Sequence, residues 1–322
     1  VFLVGCKEIK RDSLSSHTKS LYSYVFVTKW GSKGNSDGEF GGAINITADL
    51  EGNIYVADIY NNRIQKFTSE GKFIIKWGAE GMENGKFKDL RCISVGDNGD
   101  IYTTEGSIIN NNKRIQRFTS KGKFISAWTT MEIPYDFEIA RNTIYIAYRS
   151  TIEKWTLLKK RWVVIPPTPV PELVTTKLPY AFILGIAIDS ENNILALIKH
   201  VYLGYDKDWK WTEFSYNSIS TYNYNGIFIK KWDIEYKFEK KNKNPVFSSI
   251  AVDSSDNILL GDISNNCIKK FDSSGKFITK FGNEDTGGGQ FKMPGSITID
   301  KDGNIYVADS KTCCIQKFKY MK

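Results

Sequence analysis

An aspartate–arginine pair is the first group of residues in this chain that could do chemistry. Arg63 follows Asp58 at an interval of five residues, and Asp262 and Asp309 occupy the corresponding places of later segments. A carboxylate beside a guanidinium could bind a ligand, or it could join the ends of two neighbouring strands by a charge-assisted hydrogen bond. Because the aspartate recurs along the chain, we favour the structural role. A cysteine replaces the arginine in the last two segments, so another group must satisfy those two carboxylates.

Acidic side chains close to a glycine raise a second possibility, a calcium site. Residues 300–304 read Asp-Lys-Asp-Gly-Asn, which resembles half of a calcium-binding loop. The bidentate carboxylate that closes such a loop is absent, and residues 49–53 and 253–257 repeat the pattern where two strands would meet. We therefore expect a tight turn between the first and second strands of a unit rather than a metal site.

Histidine chemistry is excluded by number. The sequence contains two histidines, His17 and His200, so it cannot supply a zinc site built from three of them. No phosphate-binding glycine-rich loop is present. No carboxylate can be distinguished from the repeated aspartates as one that points into a central site. We therefore predict no catalytic residue, no metal and no cofactor.

The N-terminal residues carry a different kind of signal. Residues 3–6 read Leu-Val-Gly-Cys and resemble the lipobox of bacterial lipoproteins, where a signal peptide is cleaved before a cysteine that becomes acylated. Residues 7–21 are polar and without periodicity, as a tether would be. We therefore predict that Cys6 is lipidated, that residues 1–21 are a signal-peptide remnant with a tether, and that the protein is extracytoplasmic on a bacterial envelope membrane. The alternative is an apolar strand with a buried cysteine.

The elements that would hold these residues come from an internal repeat. Residues 52–58 and 303–309 both read Gly-Asn-Ile-Tyr-Val-Ala-Asp, and four weaker copies bring the total to six, at intervals of 43 to 64 residues. Each unit contains short runs of alternating β-branched and aromatic residues between Gly, Asn, Asp or Ser, which predicts antiparallel strands. Four strands per unit of this length are typical of the blades of a β-propeller.

The ends of the chain predict how the ring closes. The sixth unit stops near Phe318 and lacks its fourth strand, whereas residues 22–31 look like such a strand with no unit of their own. We therefore predict an all-β, six-bladed propeller over residues 22–322, with four antiparallel strands per blade. In this arrangement residues 22–31 complete the last blade.

The third strand of the first unit carries a family motif. Residues 61–64 read Asn-Asn-Arg-Ile, and this Asn-x-Arg-Ile core resembles that of the NHL repeat family of six-bladed propellers. The resemblance covers residues 22–322 and is strong in blades one, two, five and six. Blade three lacks the motif, and blade four contains an insertion near residues 200–218.

The resemblance implies three kinds of function. Amidating lyases of this fold hold zinc with three histidines, which this chain does not have. Propeller lactonases and lyases of related shape hold a metal with acidic and Asn groups in the central channel. Some members bind single-stranded RNA on a basic face. The net charge of +8 would suit RNA, but the 44 Lys and Arg residues are scattered among 36 Asp and Glu rather than gathered in one patch.

The insertion in blade four is the strongest indication of a binding surface. In a propeller, the loops between second and third strands share one face with the connections between blades, and long aromatic loops on a rigid scaffold suit binding. The alternative is that these aromatic residues cover the edge of blade four. The predicted ligand-binding face comprises Arg63, Arg114, Tyr202, Tyr205, Trp209, Trp211, Phe214 and Tyr216.

These observations predict a non-catalytic, extracytoplasmic binding scaffold. Its ligand would be a protein or another macromolecule bound on one propeller face, and its contact with a membrane would be through the lipid anchor only. We expect a monomer and no nucleic-acid partner. The alternatives are a metal-dependent lyase or hydrolase of the central channel and a single-stranded RNA-binding protein.

Overall fold

The computed structural model describes residues 23–42, 44–109, 111–156, 180–205, 211–234, 245–283 and 287–321. These residues form 23 strands and one 3-10 turn at Ile59–Asn61. Within the same ranges, no helix is long and apolar enough to cross a membrane. The strands form six antiparallel sheets, so the prediction of an all-β propeller is confirmed.

The strands follow the chain blade by blade, each blade beginning with its innermost strand. The strand that precedes blade one is β1 (Ser23–Trp30). The strands of blades one to three are β2 (Ile44–Ala48), β3 (Ile54–Asp58), β4 (Arg63–Phe67) and β5 (Phe73–Trp77); β6 (Leu90–Val95), β7 (Ile101–Gly106), β8 (Lys113–Phe118) and β9 (Phe124–Thr129); and β10 (Asp136–Ala140), β11 (Thr143–Ala147) and β12 (Ile152–Thr156). The strands of blades four to six are β13 (Tyr180–Ile188), β14 (Ile194–Tyr205), β15 (Trp211–Tyr222) and β16 (Phe228–Asp233); β17 (Phe247–Val252), β18 (Ile258–Asp262), β19 (Cys267–Phe271) and β20 (Phe277–Phe281); and β21 (Pro294–Ile299), β22 (Ile305–Asp309) and β23 (Cys314–Met321).

The second strand of a blade is buried on both faces because a neighbouring blade packs on each side. In β3, Ile54 and Val56 join the core shared with blade six, whereas Tyr55 and Ala57 join the core shared with blade two. All five residues of β3 are buried, while the outer strand β5 alternates between half-buried and exposed positions. The core is therefore a series of layers between blades, and each blade is stabilised only by its neighbours.

A glycine–tryptophan contact joins the outer parts of neighbouring blades. Gly71 precedes β5 with φ of +84°, and a Cβ atom there would lie 2.4 Å from Cδ2 of Trp30 in the preceding blade. Gly122 packs against Trp77 in the same way. Residues 71–74 and 122–125 both read Gly-Lys-Phe-Ile, and the position needs glycine for two reasons, the left-handed backbone and the close approach of the indole ring.

The ring closes as the ends of the chain predict. The last sheet has the order β1-β23-β22-β21, and β1 pairs with β23 from Ser23 opposite Met321 to Trp30 opposite Ile315, with a bulge between Phe26 and Thr28. The N-terminal strand therefore completes blade six. The innermost strands β2, β6, β10, β13, β17 and β21 contact one another in that order, and β21 contacts β2 around a central channel.

Blades three and four depart from the other four. Blade three has three strands in the described ranges, and its expected fourth strand would fall in residues 157–179, which lie outside them. The prediction of a long aromatic loop in blade four was wrong, because β14 and β15 continue as one hairpin that pairs as far as Tyr205 opposite Trp211. Strand pairing within the hairpin satisfies the backbone N–H and C=O groups of the added residues, which an exposed loop would leave largely to water.

Candidate functional site

The two faces of the ring differ in their connections. The loop face carries the second-to-third strand loops and the connections between blades, whereas the turn face carries the tight turns that begin at residues such as Asp49 and Asp300. Both Oδ atoms of Asp300 are engaged within its own turn, by the backbone N–H of Asn304 at 2.9 Å and the hydroxyl of Tyr306 at 2.9 Å. This segment is a side-chain-capped turn, as the sequence indicates.

Arg63 lies on the loop face but is almost fully buried. Its Nε donates to Oδ2 of Asp58 at 2.9 Å, and the two residues are directly paired across β3 and β4. The terminal nitrogens donate to the backbone oxygens of Asn35, Ser36 and Glu39, in the connection that leads from β1 to β2. The guanidinium therefore ties this connection to blade one and is saturated by the chain itself.

Arg114 repeats this arrangement in blade two. Its Nε lies 2.9 Å from Oε1 of Glu105, which takes the place of the aspartate, and its terminal nitrogens donate to the backbone oxygens of Met82 and Lys86. A longer carboxylate thus serves the same purpose. In this structure both arginines predicted for a ligand-binding face bind the protein's own backbone.

The last two complete repeats replace the arginine in different ways. In blade five, Lys269 pairs with Asp262 at 2.7 Å. In blade six, Asp309 accepts the backbone N–H groups of Lys292 at 2.6 Å and Thr312 at 3.0 Å. A lysine side chain and backbone N–H groups therefore satisfy the two carboxylates that have no arginine.

We expect Asp58→Ala to lower the free energy of unfolding by about 3 to 5 kcal/mol, because it leaves Arg63 buried without its counter-charge. Asp37→Ala is the matched control: it removes a pair with Lys76 in which both side chains are about half exposed, and should cost about 1 kcal/mol or less. Urea denaturation of both variants measures the difference. Equal losses would show that Arg63 does not depend on the carboxylate.

The blade-four hairpin contains a buried histidine. His200 is 1% exposed, its Nε2 lies 2.8 Å from Oγ of Ser218, and its ring stacks on Tyr216. Burial and then the nearby Lys231 lower the pKa of His200 to about 4, so the imidazole is neutral at physiological pH. Of the aromatic residues predicted for a binding surface, Tyr202 of β14 pairs with Phe214 of β15 in this hairpin. Trp209 lies outside the described residues.

The central channel contains two carboxyl groups that sequence analysis missed. Asp136 and Glu138 lie on β10, the innermost strand of blade three, and line a cavity of about 110 Å³. In the sequence no inward carboxylate was distinguished from the repeated aspartates, and Asp136 and Glu138 correct that interpretation. The sequence feature that could have revealed them is a pair of acidic residues at alternate positions of an innermost strand. The corresponding positions of β2 are Asn45 and Thr47. Residues 46–49 and 297–300 read Ile-x-x-Asp at the end of an innermost strand, and blade three lacks this pattern, which hid the alignment.

Asp136 occupies a position with a repeated structural role. Its Oδ2 accepts the backbone N–H of Ile186 in the next blade at 2.9 Å, as Oδ1 of Asn45 accepts that of Ile93 at 3.0 Å. A neutral amide therefore suffices for this bond between blades. Oε2 of Glu138 accepts from the hydroxyl of Ser94 at 3.3 Å.

Enclosure by the ring changes the titration of both carboxyl groups. Burial raises the pKa of Asp136 to about 7, against an ordinary value of 3.8. Burial and then the charge of Asp136 raise the pKa of Glu138 to about 8. The channel thus holds two acids that retain protons near neutral pH.

These residues do not fit a metal centre. The described part of the chain contains no group of three or more His, Cys, Asp or Glu side chains that could hold an ion. Asn45 also lines the cavity, and its amide oxygen is of a type that can bind a metal ion. Its side chain already donates to Oγ of Ser296 and accepts from the backbone N–H of Ile93. The cavity is also smaller than the roughly 300 Å³ at which ordinary ligand pockets begin.

A larger groove opens on the loop face between blades one, two and three. It has a volume of about 720 Å³ and reaches the channel wall at Cys92 and Tyr135. Its exposed apolar side chains are Tyr60, Ile108, Ile109 and Tyr135, whose exposed fractions are 69%, 85%, 97% and 44%. Two adjacent isoleucines that are almost fully exposed are unusual on a surface without a partner.

Arg91 lies in this groove. Its Nε donates to the backbone oxygen of Gly106 at 2.8 Å, and its guanidinium lies 5.2 Å from the ring centroid of Tyr135. No sequence motif marked these residues, because the loop between β7 and β8 departs from the repeat. The signal was the unmatched Ile108-Ile109 pair in a loop that is otherwise polar.

Comparison with known proteins agrees with this architecture. Residues 291–318 match the family model of the NHL repeat, so the predicted resemblance is confirmed in blade six. The chain is a six-bladed β-propeller that contains an NHL repeat. No curated protein sequence matches it.

Solved structures of similar shape include enzymes and a binding protein. Virginiamycin B lyase from Staphylococcus aureus has a TM-score of 0.55 at 15% identity, covering 92% of this chain and 98% of that chain. An auxiliary nutrient binding protein from Bacteroides thetaiotaomicron has a TM-score of 0.58 at 14% identity, with coverage of 88% and 70%. A gluconolactonase from Xanthomonas campestris has a TM-score of 0.53 at 11% identity, with 88% of each chain covered. At these identities the likeness shows the fold alone.

Proposed function

We propose that this protein is a non-catalytic binding scaffold that takes a protein partner on its loop face. The observation that carries the proposal is the groove of about 720 Å³ beside Tyr60, Ile108 and Ile109. Large exposed apolar patches on a rigid scaffold mark interaction sites. The nutrient-binding protein of similar fold shows that a propeller of this shape can serve binding, as its name states.

The composition of the surroundings supports a protein partner. Met82 and Met131 are also exposed, in the connections that precede β6 and β10 on the same loop face. Tyrosine, methionine and arginine are the residue types enriched at protein–protein interfaces. The poor fit of Asp136, Glu138 and Asn45 to a metal disfavours the lyase or hydrolase alternative. The proposed extracytoplasmic location rests on the lipobox-like residues and Cys6, which lie outside the described ranges, so it stays a prediction.

The face can be tested by paired variants. Ile108→Ser/Ile109→Ser removes the most exposed apolar side chains of the groove, whereas Leu50→Ser removes one of 72% exposure on the turn face. Proteins captured by the wild-type chain from the envelope fraction of its source are identified by mass spectrometry, purified, and titrated against all three chains. We expect the loop-face variant to bind a partner about tenfold or more weakly and Leu50→Ser to bind like the wild type.

Two results would contradict the proposal. One is a partner that binds the loop-face variant with unchanged affinity. The other is the absence of any partner that binds the purified wild-type chain. Far-UV circular dichroism and thermal unfolding of each variant show whether a loss of binding reflects the altered surface.

A further inference from the structure

We propose that the groove recognises a segment of the partner in which a carboxylate stands beside an apolar side chain, and that Arg91 binds the carboxylate. This inference rests on the proposed function, because it assigns the chemistry of the same loop-face site. It concerns an arginine other than the two that the sequence pattern singles out.

The hydrogen bonds of Arg91 differ from those of the repeat arginines. Arg63 and Arg114 use their terminal nitrogens on backbone oxygens of the chain. Within the described residues, the hydrogen bond of Arg91 is the one from Nε to Gly106. Its two terminal nitrogens are therefore available as a fork, the geometry that binds a carboxylate through two parallel bonds.

The guanidinium is held in place before any ligand binds. The Nε bond to Gly106 fixes one edge of the plane, and Tyr135 lies against it at 5.2 Å. An arginine positioned in this way loses less conformational entropy on binding than a freely rotating lysine would. The contact with Tyr135 also places the fork next to an apolar surface.

The groove is lined by two cations, Lys88 and Arg91, and by one carboxylate, Asp89. Lys88 at its edge is paired with Glu80, whereas no ion pair joins Arg91 to a carboxylate in the described part of the chain. The net charge of +8 would further speed the approach of an acidic partner. Opposite the cation, Ile108 and Ile109 offer aliphatic surface. The groove is thus complementary to a carboxylate with an apolar neighbour.

A phage-displayed library of random twelve-residue peptides, panned on the full chain, tests the inference. We expect the enriched peptides to share an Asp or Glu next to an apolar residue. Fluorescence polarisation of the best peptide should then show an affinity loss of about tenfold or more for Arg91→Ala and a smaller loss for Arg91→Lys, which keeps the charge but loses the fork. Replacing the acidic residue of the peptide by its amide should cause a similar loss, and the two losses should not add.

Control variants separate the possible failures. Lys301→Ala removes an exposed cation on the turn face and should leave binding unchanged. Peptides that need Ile108 and Ile109 but lack an acidic residue, or that bind Arg91→Ala normally, would overturn this inference and leave the proposed face intact. Peptides indifferent to Ile108→Ser/Ile109→Ser, or no enrichment at all, would overturn both. Thermal unfolding curves of Arg91→Ala and Arg91→Lys that match the wild type would attribute a loss of binding to the lost guanidinium rather than to misfolding.

Discussion

Deleting residues 1–30 is expected to abolish the cooperative unfolding of the propeller or to lower its Tm by roughly 10 °C or more, because the deletion removes the strand that closes the ring. Strand β1 pairs along β23 and packs on both neighbouring blades. Trp30 contacts Phe67 of blade one, and Tyr24 contacts Phe281 of blade five. Without β1 these surfaces and the edge of β23 would be exposed, and an unpaired edge promotes aggregation.

Lys270 adds a polar contact to this closure. Its Nζ donates to the hydroxyl of Tyr24 at 2.8 Å and lies 2.7 Å from Oδ2 of Asp253. These bonds link the N-terminal strand to blade five across the junction. Removal of β1 would therefore leave a partly buried ion pair with one partner fewer.

The matched control is deletion of residues 1–22, which ends just before β1. We expect this shorter deletion to leave Tm and the cooperativity of unfolding unchanged, as measured by differential scanning calorimetry and circular dichroism. A stable, cooperative ring after deletion of residues 1–30 would show that blades one to six close without the N-terminal strand.

The second large effect is expected at the channel carboxyl groups. The folded state binds the protons of Asp136 and Glu138 more tightly than the unfolded state does, since burial raises both pKa values. Their contribution to stability is therefore greatest below the unfolded pKa values near 4. It is lost as pH rises through the folded values of about 7 and about 8.

Asp136→Asn combined with Glu138→Gln should remove this pH dependence. At pH 5 we expect the variant and the wild type to have similar free energies of unfolding. At pH 9 the variant should be more stable by on the order of 6 kcal/mol, because the unfolded carboxyl groups are ionised from about pH 5 upward, the folded ones ionise only at about 7 and about 8, and each pH unit between corresponds to about 1.4 kcal/mol. The amide of Asn45 already makes the bond between blades that Asp136 makes, so the exchange preserves that contact.

Urea titrations between pH 5 and pH 9 measure this difference. Asp37→Asn serves as a control, because it removes one half-exposed carboxyl group outside the channel. A difference between wild type and the double variant that stays constant over this range would mean that the channel carboxyl groups ionise like exposed ones.

The fold could be predicted from the sequence because the same pattern of strands and turns recurs six times along the chain. Residues 52–58 and 303–309 carry identical strands, and the spare strand at residues 22–31 matches the one that the last unit lacks. Glycines such as Gly71 mark positions where the backbone is left-handed and an indole approaches. Local chemistry and global closure agree, so few alternatives remain.

The candidate site could not be predicted in the same way, because it lies where the repeat is interrupted. Arg63 and Arg114 stand out in the sequence, yet the connections between blades saturate them. Arg91 and Ile108 carry no motif. The pairing of β6 with β7 brings them together in blade two, and the groove forms only where Tyr60 of blade one and Tyr135 of blade three lie beside them. A pattern that recurs identifies architecture, whereas a departure from it acquires meaning only in three dimensions.

The sequence by itself therefore determined the number of blades, the order of strands and the way the ring closes, since these follow from periodicity and glycine placement along the chain. Only the tertiary structure decided which charged groups form hydrogen bonds and ion pairs that hold the blades together, and which face a cavity or a groove. The physical reason is that burial and hydrogen-bond saturation are set by neighbours distant in sequence. Asp136, with its neighbour Ile186 fifty residues away, shows this as clearly as Arg63, which is tied to Asn35.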